Sequence, residues 1–94
     1  MRTPRFEKYE IAPCVRLELD DGVECFERRE TLRDLTRKER KTLIWTLYGW
    51  RPGHGVVCVG DFMTQADAIE IYSLITGHRV ARRDRCTVLT GLPA

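Results

Sequence analysis

The chain has 94 residues, of which 43% are hydrophobic and 32% charged, and its formal net charge is +2 at pH 7. A chain of this length and composition is expected to form one domain (residues 1–94) around one core, which excludes wholesale disorder. The apolar runs are far shorter than the ~20 residues of a membrane helix, and "MRTPRFEKYE" has no apolar stretch typical of a secretory signal, so we expect a cytoplasmic protein without a membrane partner.

The first predicted element is a β-hairpin in "CVRLELDDGVECFER", residues 14–28. Apolar residues alternate with charged ones on both sides of "DDG", which has the composition of a tight turn. A three-residue loop with Gly22 in the left-handed conformation pairs Leu19 with Val23 and places the apolar residues on one face. We prefer this register to a two-residue "DG" loop, which would pair Leu19 with Glu24.

Residues 6–11 are expected to add an extended segment before this hairpin, because Pro13 disfavours helix at the residue before it. After the hairpin, "ETLRDLTRKERKT" contains two capping-box spacings, which begin at Thr31 and at Thr36. A short helix from Leu32 to Lys41 is therefore predicted. Its apolar face is thin, so we expect it to lie on the surface.

A second hairpin is predicted from "TLIWTLYGW", "RPGHG" and "VVCVGDF". Both flanking runs are rich in β-branched and aromatic residues, which favours two central strands covered by a helix on at least one face. The alternative is a continuous helix from Leu32 through Leu47, which the composition and Gly49 argue against. On a strand, Trp45 faces one way while Tyr48 and Trp50 share the other face.

The segment "MTQADAIEIYSLITG" predicts a helix from Gln65 to Thr76, with Thr64 as the N-cap and Gly77 as the C-terminal stop. Its apolar stripe should pack on the sheet and comprises Ala68, Ile71, Tyr72 and Ile75. A last short strand is expected from Cys86 to Leu89. The predicted fold is therefore α+β, with an antiparallel sheet of four to five strands, one packed amphipathic helix and a short basic surface helix.

The chemistry-bearing residues form no recognisable catalytic or metal-binding pattern. The four cysteines contain no CxxC pair, so we interpret them as reduced thiols, mostly in the core. A zinc site made with His54 or His78 is the alternative, but zinc ligands usually occur as closely spaced pairs. Ser73 is the only serine and lies in a predicted helix, and "GHG" lacks the residues of a phosphate loop. We expect neither an enzyme nor a cofactor.

Basic residues are concentrated in residues 28–41 and 79–85, whereas residues 18–27 contain five acids and no base. Such a dipolar charge distribution suits an oriented protein partner at least as well as a polyanion. A macromolecular protein partner is therefore predicted, and nucleic-acid binding through the two arginine-rich segments is the alternative. The predicted partner-binding residues are Trp50, Arg51, Arg79, Arg82, Arg83, Arg85, Arg37, Lys38 and Arg40.

The block from Trp45 to Gly77, "WTLYGW…GVVCVGDFMTQADAIEIYSLITG", resembles a segment of small uncharacterised α+β proteins of bacterial plasmids and integrated elements. The resemblance implies an α+β fold and a bacterial mobile-element setting, and it assigns no functional residue. Small proteins in that setting often bind and block a host machine. By that analogy, the predicted protein partner would be a host defence complex that this protein inhibits.

Overall fold

The computed structural model describes residues 6–94, so the prediction of no secretory signal in residues 1–10 lies partly outside the described residues. The elements are β1 (Lys8–Glu18), β2 (Glu24–Arg28), α1 (Arg37–Lys41), β3 (Ile44–Arg51), β4 (Gly55–Phe62), α2 (Gln65–Thr76) and β5 (Thr87–Thr90). The strands form one antiparallel sheet in the order β2-β1-β3-β4, and β5 also pairs with β1. The α+β prediction is confirmed. Among the helices of the described residues, none is long and apolar enough to span a membrane.

Strand β1 is the centre of the sheet. One of its sides pairs with β3 over residues 8–14, and the other side pairs with β5 over residues 8–11 and with β2 over residues 14–18. Pro13 lies at the junction of β5 and β2, where its carbonyl accepts a hydrogen bond from the Arg29 N–H at 2.8 Å. In a strand, the backbone nitrogen and the carbonyl of one residue point to the same side. The N–H that Pro13 lacks would therefore point to the place where the pairing changes from β5 to β2. A proline is thus tolerated inside a central strand.

The first hairpin has the predicted register. Leu17 is opposite Cys25, and the Leu19 N–H donates to the Val23 carbonyl at 2.8 Å. Gly22 has a φ of 82°, which is the left-handed conformation that the three-residue loop requires. The tip of the apolar face is nevertheless about half exposed, because the hairpin extends beyond the rest of the sheet.

Helix α1 is shorter than predicted. The box that begins at Thr36 is formed: the Glu39 N–H donates to Thr36 Oγ1, and the Glu39 carboxylate accepts from the Thr36 N–H. The box at Thr31 does not begin a helix, so the prediction of helix from Leu32 was wrong. Thr31 forms a bridge with Arg85, and the Leu32 N–H donates to the Asp84 carbonyl at 2.7 Å. Pairing with a distant segment therefore outcompetes local helix propensity.

Helix α2 has the predicted bounds and packs on the sheet over Tyr9, Ile11, Trp45 and Leu47. Thr64 Oγ1 accepts from the Asp67 N–H at 3.1 Å, and Gly77 adopts the left-handed conformation at the C-terminus. The buried positions of α2 are Ala68, Tyr72 and Thr76. They follow an i, i+4, i+8 pattern, so Ile75, which was predicted to belong to the stripe, is 46% exposed.

The second hairpin forms as predicted, but only one of its strands is central. Strand β3 lies between β1 and β4, whereas β4 is at the edge of the sheet. The prediction that both strands are central was wrong for β4. The sheet continues from β3 to β1, and no strand of the described residues pairs with the outer side of β4. Strand β5 begins and ends one residue later than predicted.

Candidate functional site

The face of the sheet opposite α2 contains buried polar residues. Tyr9 and Ile11 point towards α2, so the alternation along β1 points Glu10, Ala12 and Cys14 to the opposite face. Glu10 is only 6% exposed, and its neighbours on this face are also buried. Because the sheet is curled, side chains of the outer strands can enclose those of β1.

Glu10 is paired with a guanidinium. Arg28 Nε donates to Glu10 Oε1 at 2.6 Å, and Arg28 also bonds to Glu30. The bond to Glu10 is the main reason that the pKa of Arg28 is raised above its ordinary value. A buried carboxylate is costly unless it is paired, so Arg28 makes the position of Glu10 possible.

A second polar cluster adjoins this pair on the same face. Thr46 Oγ1 donates to Asp61 Oδ1 at 2.7 Å and also lies 3.4 Å from Cys14 Sγ. The hydroxyl of Tyr48 is 3.6 Å from the same sulfur, and burial raises the pKa of Tyr48 to about 12. Tyr48 is thus a neutral hydrogen-bonding group at ordinary pH. Cys14 is 2% exposed, which keeps its thiol away from any substrate in solution.

The Glu10–Arg28 pair and Tyr48 border a cleft of about 390 Å³. Its lining consists of Glu10, Arg28, Tyr48, Trp50 and Val56. Trp50 was predicted as a partner-binding residue, and it is half-buried in the wall of this cleft. Its Nε1 is enclosed without a hydrogen-bond partner among the described residues, and the Lys8 ammonium lies 4.4 Å from the ring centroid. The cleft therefore combines an aromatic wall, an aliphatic wall and a charged pair.

The outer side of β4 is unpaired, since β4 is the last strand of the sheet in the described residues. Five consecutive residues of this strand are exposed, namely Gly55, Val56, Val57, Cys58 and Val59. No charged residue occurs from Gly55 to Gly60. Natural edge strands are usually protected by charges, prolines or a covering element. An uncharged apolar edge of this length is a surface on which another strand can pair.

The first two arginines of the first basic segment, Arg28 and Arg29, are neutralised by ion pairs. Arg28 is held by Glu10 and Glu30, and Arg29 is held by Glu27 and Glu39. The bond to Glu39 is the main reason that the pKa of Arg29 is raised. These two residues are therefore poor candidates for contact with a polyanion.

The arginines of the second basic segment are exposed. Arg79, Arg83 and Arg85 line an open groove of about 470 Å³ beside β5, and Arg82 is exposed in the same segment. The Leu32 N–H bond to the Asp84 carbonyl joins the segment to the chain that leads into α1.

The predicted partner-binding residues therefore lie on separate surfaces. On α1, Arg37 and Lys38 are exposed, and Arg40 Nη2 donates to the Leu32 carbonyl at 2.8 Å. The two basic segments are thus neighbours in space. Trp50 lines a different cleft, and the Arg51 guanidinium lies 5.5 Å from the centroid of the Phe6 ring.

The thiols and imidazoles do not converge. All four cysteines are free, but only Cys14 is buried, so the prediction that most of them are in the core was wrong. His54 is exposed in the turn of the second hairpin, and His78 Nε2 is 2.8 Å from the Leu92 carbonyl. In residues 6–94, His, Cys, Asp and Glu side chains form no group of three or more that could hold a metal ion.

No protein family, curated protein or solved structure was found to match the chain.

Sequence reasoning missed two features of these surfaces. The first is the Glu10–Arg28 pair. Its signal in the sequence is a carboxylate, Glu10, between the apolar residues of β1. The second is the free edge at β4, because no pattern within β4 distinguishes an apolar edge strand from a central one.

Proposed function

We propose that this protein is a non-catalytic interaction module that binds a protein partner by pairing a strand of the partner with the free edge of β4. The observation that supports the proposal most is the run of five exposed, uncharged residues at this edge, Gly55 to Val59. Alternate residues of an edge strand point their unpaired backbone N–H and C=O groups outward in a regular array, which is the template for strand addition.

The residues around β4 suit such an addition. Val56 is opposite Trp50 and Cys58 is opposite Tyr48, so these side chains lie on the cleft face of the sheet. A partner strand beside β4 would place alternate side chains on that face, next to the cleft. Backbone hydrogen bonds would then supply affinity, while the cleft would select the side chain that enters it.

The non-catalytic part of the proposal is supported by the surroundings of the reactive groups. Cys58 is exposed as a residue, but partial desolvation of its thiol is the main cause that raises its pKa, and burial raises the pKa of Cys86 to about 11, so both thiols are weak nucleophiles at neutral pH. Within residues 6–94, neither imidazole hydrogen-bonds a thiol, a hydroxyl or a carboxylate. Activation of a nucleophile by a neighbouring base needs such a contact.

The test is a comparison of captured proteins. Tagged wild-type protein is incubated with bacterial lysate beside Val57→Lys and Val59→Lys, which place a charge at the edge, and beside Leu74→Lys as a control. Leu74 is 75% exposed on α2, so the control adds the same charge away from β4. We expect a partner that wild type and control retain and that both edge variants lose. Circular dichroism checks that all variants fold.

Hydrogen exchange then locates the contact. The purified partner should slow exchange of the outward amides of β4 and leave those of α2 unchanged. A partner retained equally by the edge variants, or protection confined to another surface, would refute strand addition. The mobile-element setting and the inhibition of a host defence complex remain predictions to which no residue is assigned.

A further inference from the structure

The groove beside β5 is built by a segment whose backbone is held in place at three points. Gln65 Nε2 donates to the Arg83 carbonyl at 2.7 Å, the Leu32 N–H donates to the Asp84 carbonyl, and the Cys86 N–H donates to the Glu30 carbonyl at 2.9 Å. The segment has no helix or regular strand, yet these bonds tie it to α2 and to the chain before α1. Its arginines therefore project from a backbone that is already ordered, which reduces the conformational entropy lost when a ligand binds.

The groove is positively charged without a compensating acid. Its lining consists of Arg79, Val80, Ala81, Arg83, Arg85, Cys86, Thr87, Val88 and Leu89. None of the three arginines forms an ion pair with the described residues. Asp84 is the only acid in residues 79–85, and its carboxylate lies 4.0 Å from Arg33 Nε. Each guanidinium in the groove therefore keeps its N–H donors available.

We propose that this groove binds the phosphate backbone of a nucleic acid. A guanidinium presents two parallel N–H donors that match phosphate oxygens, and three such groups converge on one open groove. Two further cations, Arg37 and Lys38, are exposed on α1, and α1 is linked to the segment of the groove through Leu32, which bonds to Arg40 and to Asp84. Three guanidinium groups along one groove can each contact a different phosphate of a chain, which a single phosphate does not offer.

The lining also determines the kind of contact. The groove has no aromatic residue, so it lacks both the platform on which unpaired bases stack and the large anchor typical of a protein interface. Recognition of phosphates alone is insensitive to base sequence. Because the groove lacks an aromatic anchor, an acidic protein segment is less favoured than a nucleic acid as its polyanionic ligand. The proposal is independent of strand addition at β4, because the two surfaces share no residue.

The test measures fluorescence anisotropy of a labelled 20-base-pair DNA duplex and of a single strand over a range of salt concentrations. The groove variant is Arg79→Ala/Arg83→Ala/Arg85→Ala, and the control is Lys8→Ala/Arg16→Ala/Arg51→Ala, which removes three exposed positive charges elsewhere. We expect the groove variant to weaken duplex binding at least about tenfold at low salt and to reduce the slope of log K against log salt by up to about 2.7. The control should change binding less than about threefold.

Three further results separate the alternatives. A triple Arg→Lys variant at the same positions keeps the charge and should recover most of the salt slope. Equal weakening by groove variant and control, or no binding by wild type at low salt, would overturn the proposal. Tighter binding of poly-glutamate than of duplex would replace nucleic acid by an acidic protein segment, and full competition by millimolar inorganic phosphate would replace it by a free phosphate group.

Discussion

At the scale of single residues, Gly91 is the glycine of the described residues that another backbone segment approaches most closely. Its N–H donates to the Glu7 carbonyl at 3.0 Å, and a Cβ at this position would lie 1.9 Å from the Phe6 carbonyl oxygen. A backbone oxygen cannot move aside as a side chain can. Glycine at position 91 thus allows the chain after β5 to pack beside the start of β1.

We predict that Gly91→Ala lowers the free energy of unfolding by about 2 kcal/mol or more, because the added methyl group forces two backbone segments apart. Urea denaturation followed by tryptophan fluorescence measures the loss. Gly60→Ala is the matched control, since its Cβ would meet only the Phe62 ring, at 3.2 Å, and that ring can shift. A loss below about 1 kcal/mol in both variants would contradict the close approach.

At the scale of elements, α1 shows what maintains a helix of five residues. It contains no buried residue, so packing contributes little to it. Its stability comes from the Glu39 carboxylate, which accepts from the Thr36 N–H at 2.9 Å and pairs with Arg29 at 2.7 Å. These bonds, the backbone bond to Thr36 first and the bond to Arg29 second, lower the pKa of Glu39 from its ordinary value to about 2.

The lowered pKa of Glu39 predicts how stability depends on pH. A carboxyl group whose pKa is lower in the folded state stabilises that state above its unfolded pKa, and the contribution is lost as pH falls through the folded value. Glu39→Gln lacks this contribution. We therefore expect the difference in free energy of unfolding between wild type and Glu39→Gln to be constant near neutral pH and to shrink between about pH 4.5 and about pH 2.

Urea denaturation across that pH range measures the difference, and Thr36→Ala is the control. It removes the other half of the capping box without removing an ionisable group, so its effect should vary less with pH. A Glu39→Gln difference that stays constant down to pH 2 would show that the carboxylate is not stabilised by its bonds in the folded state.

At the scale of the whole molecule, the sheet has two unlike faces. The α2 face buries a core that includes Tyr9, Trp45 and Tyr72. The opposite face joins β1 to β2 through Glu10 and Arg28, and it joins β3 to β4 through Thr46 and Asp61. Polar pairs thus join neighbouring strands on one face, whereas apolar packing joins the strands and α2 on the other. At the margins of this sheet, β4 forms a free edge and the second basic segment lies beside β5.

The Glu10–Arg28 pair predicts strong coupling between two strands. Arg28→Met leaves a buried carboxylate without its main partner, and we expect it to lower the free energy of unfolding by about 1–3 kcal/mol, a figure reduced because the Arg28 side chain is 39% exposed. Glu10→Leu/Arg28→Met removes both charges and should cost less than Arg28→Met alone. A double-mutant cycle by urea denaturation measures the coupling. Additive losses would contradict it.

The sequence predicted those features that depend on neighbours along the chain. The loop at Gly22, the caps of α2 at Thr64 and Gly77 and the opposite directions of Trp45 and Trp50 follow from local turn chemistry and periodicity, and the structure confirms them. The failed predictions for the start of α1 and for the position of β4 concern segments whose partners are distant in sequence. Residues 31–35 have a helical pattern, but the chain at Leu32 bonds to Asp84 instead.

The candidate surfaces divide in the same way. From the sequence alone, the content of strands and helices and the clustering of basic residues were determined, because propensity, periodicity and charge are properties of the chain itself. The tertiary structure alone decided that β4 is a free edge, that Arg28 and Arg29 are neutralised while Arg79, Arg83 and Arg85 share a groove, and that Trp50 lies in a separate cleft. The physical reason is that strand order and ion pairing depend on which distant segments meet, and local patterns do not contain that information.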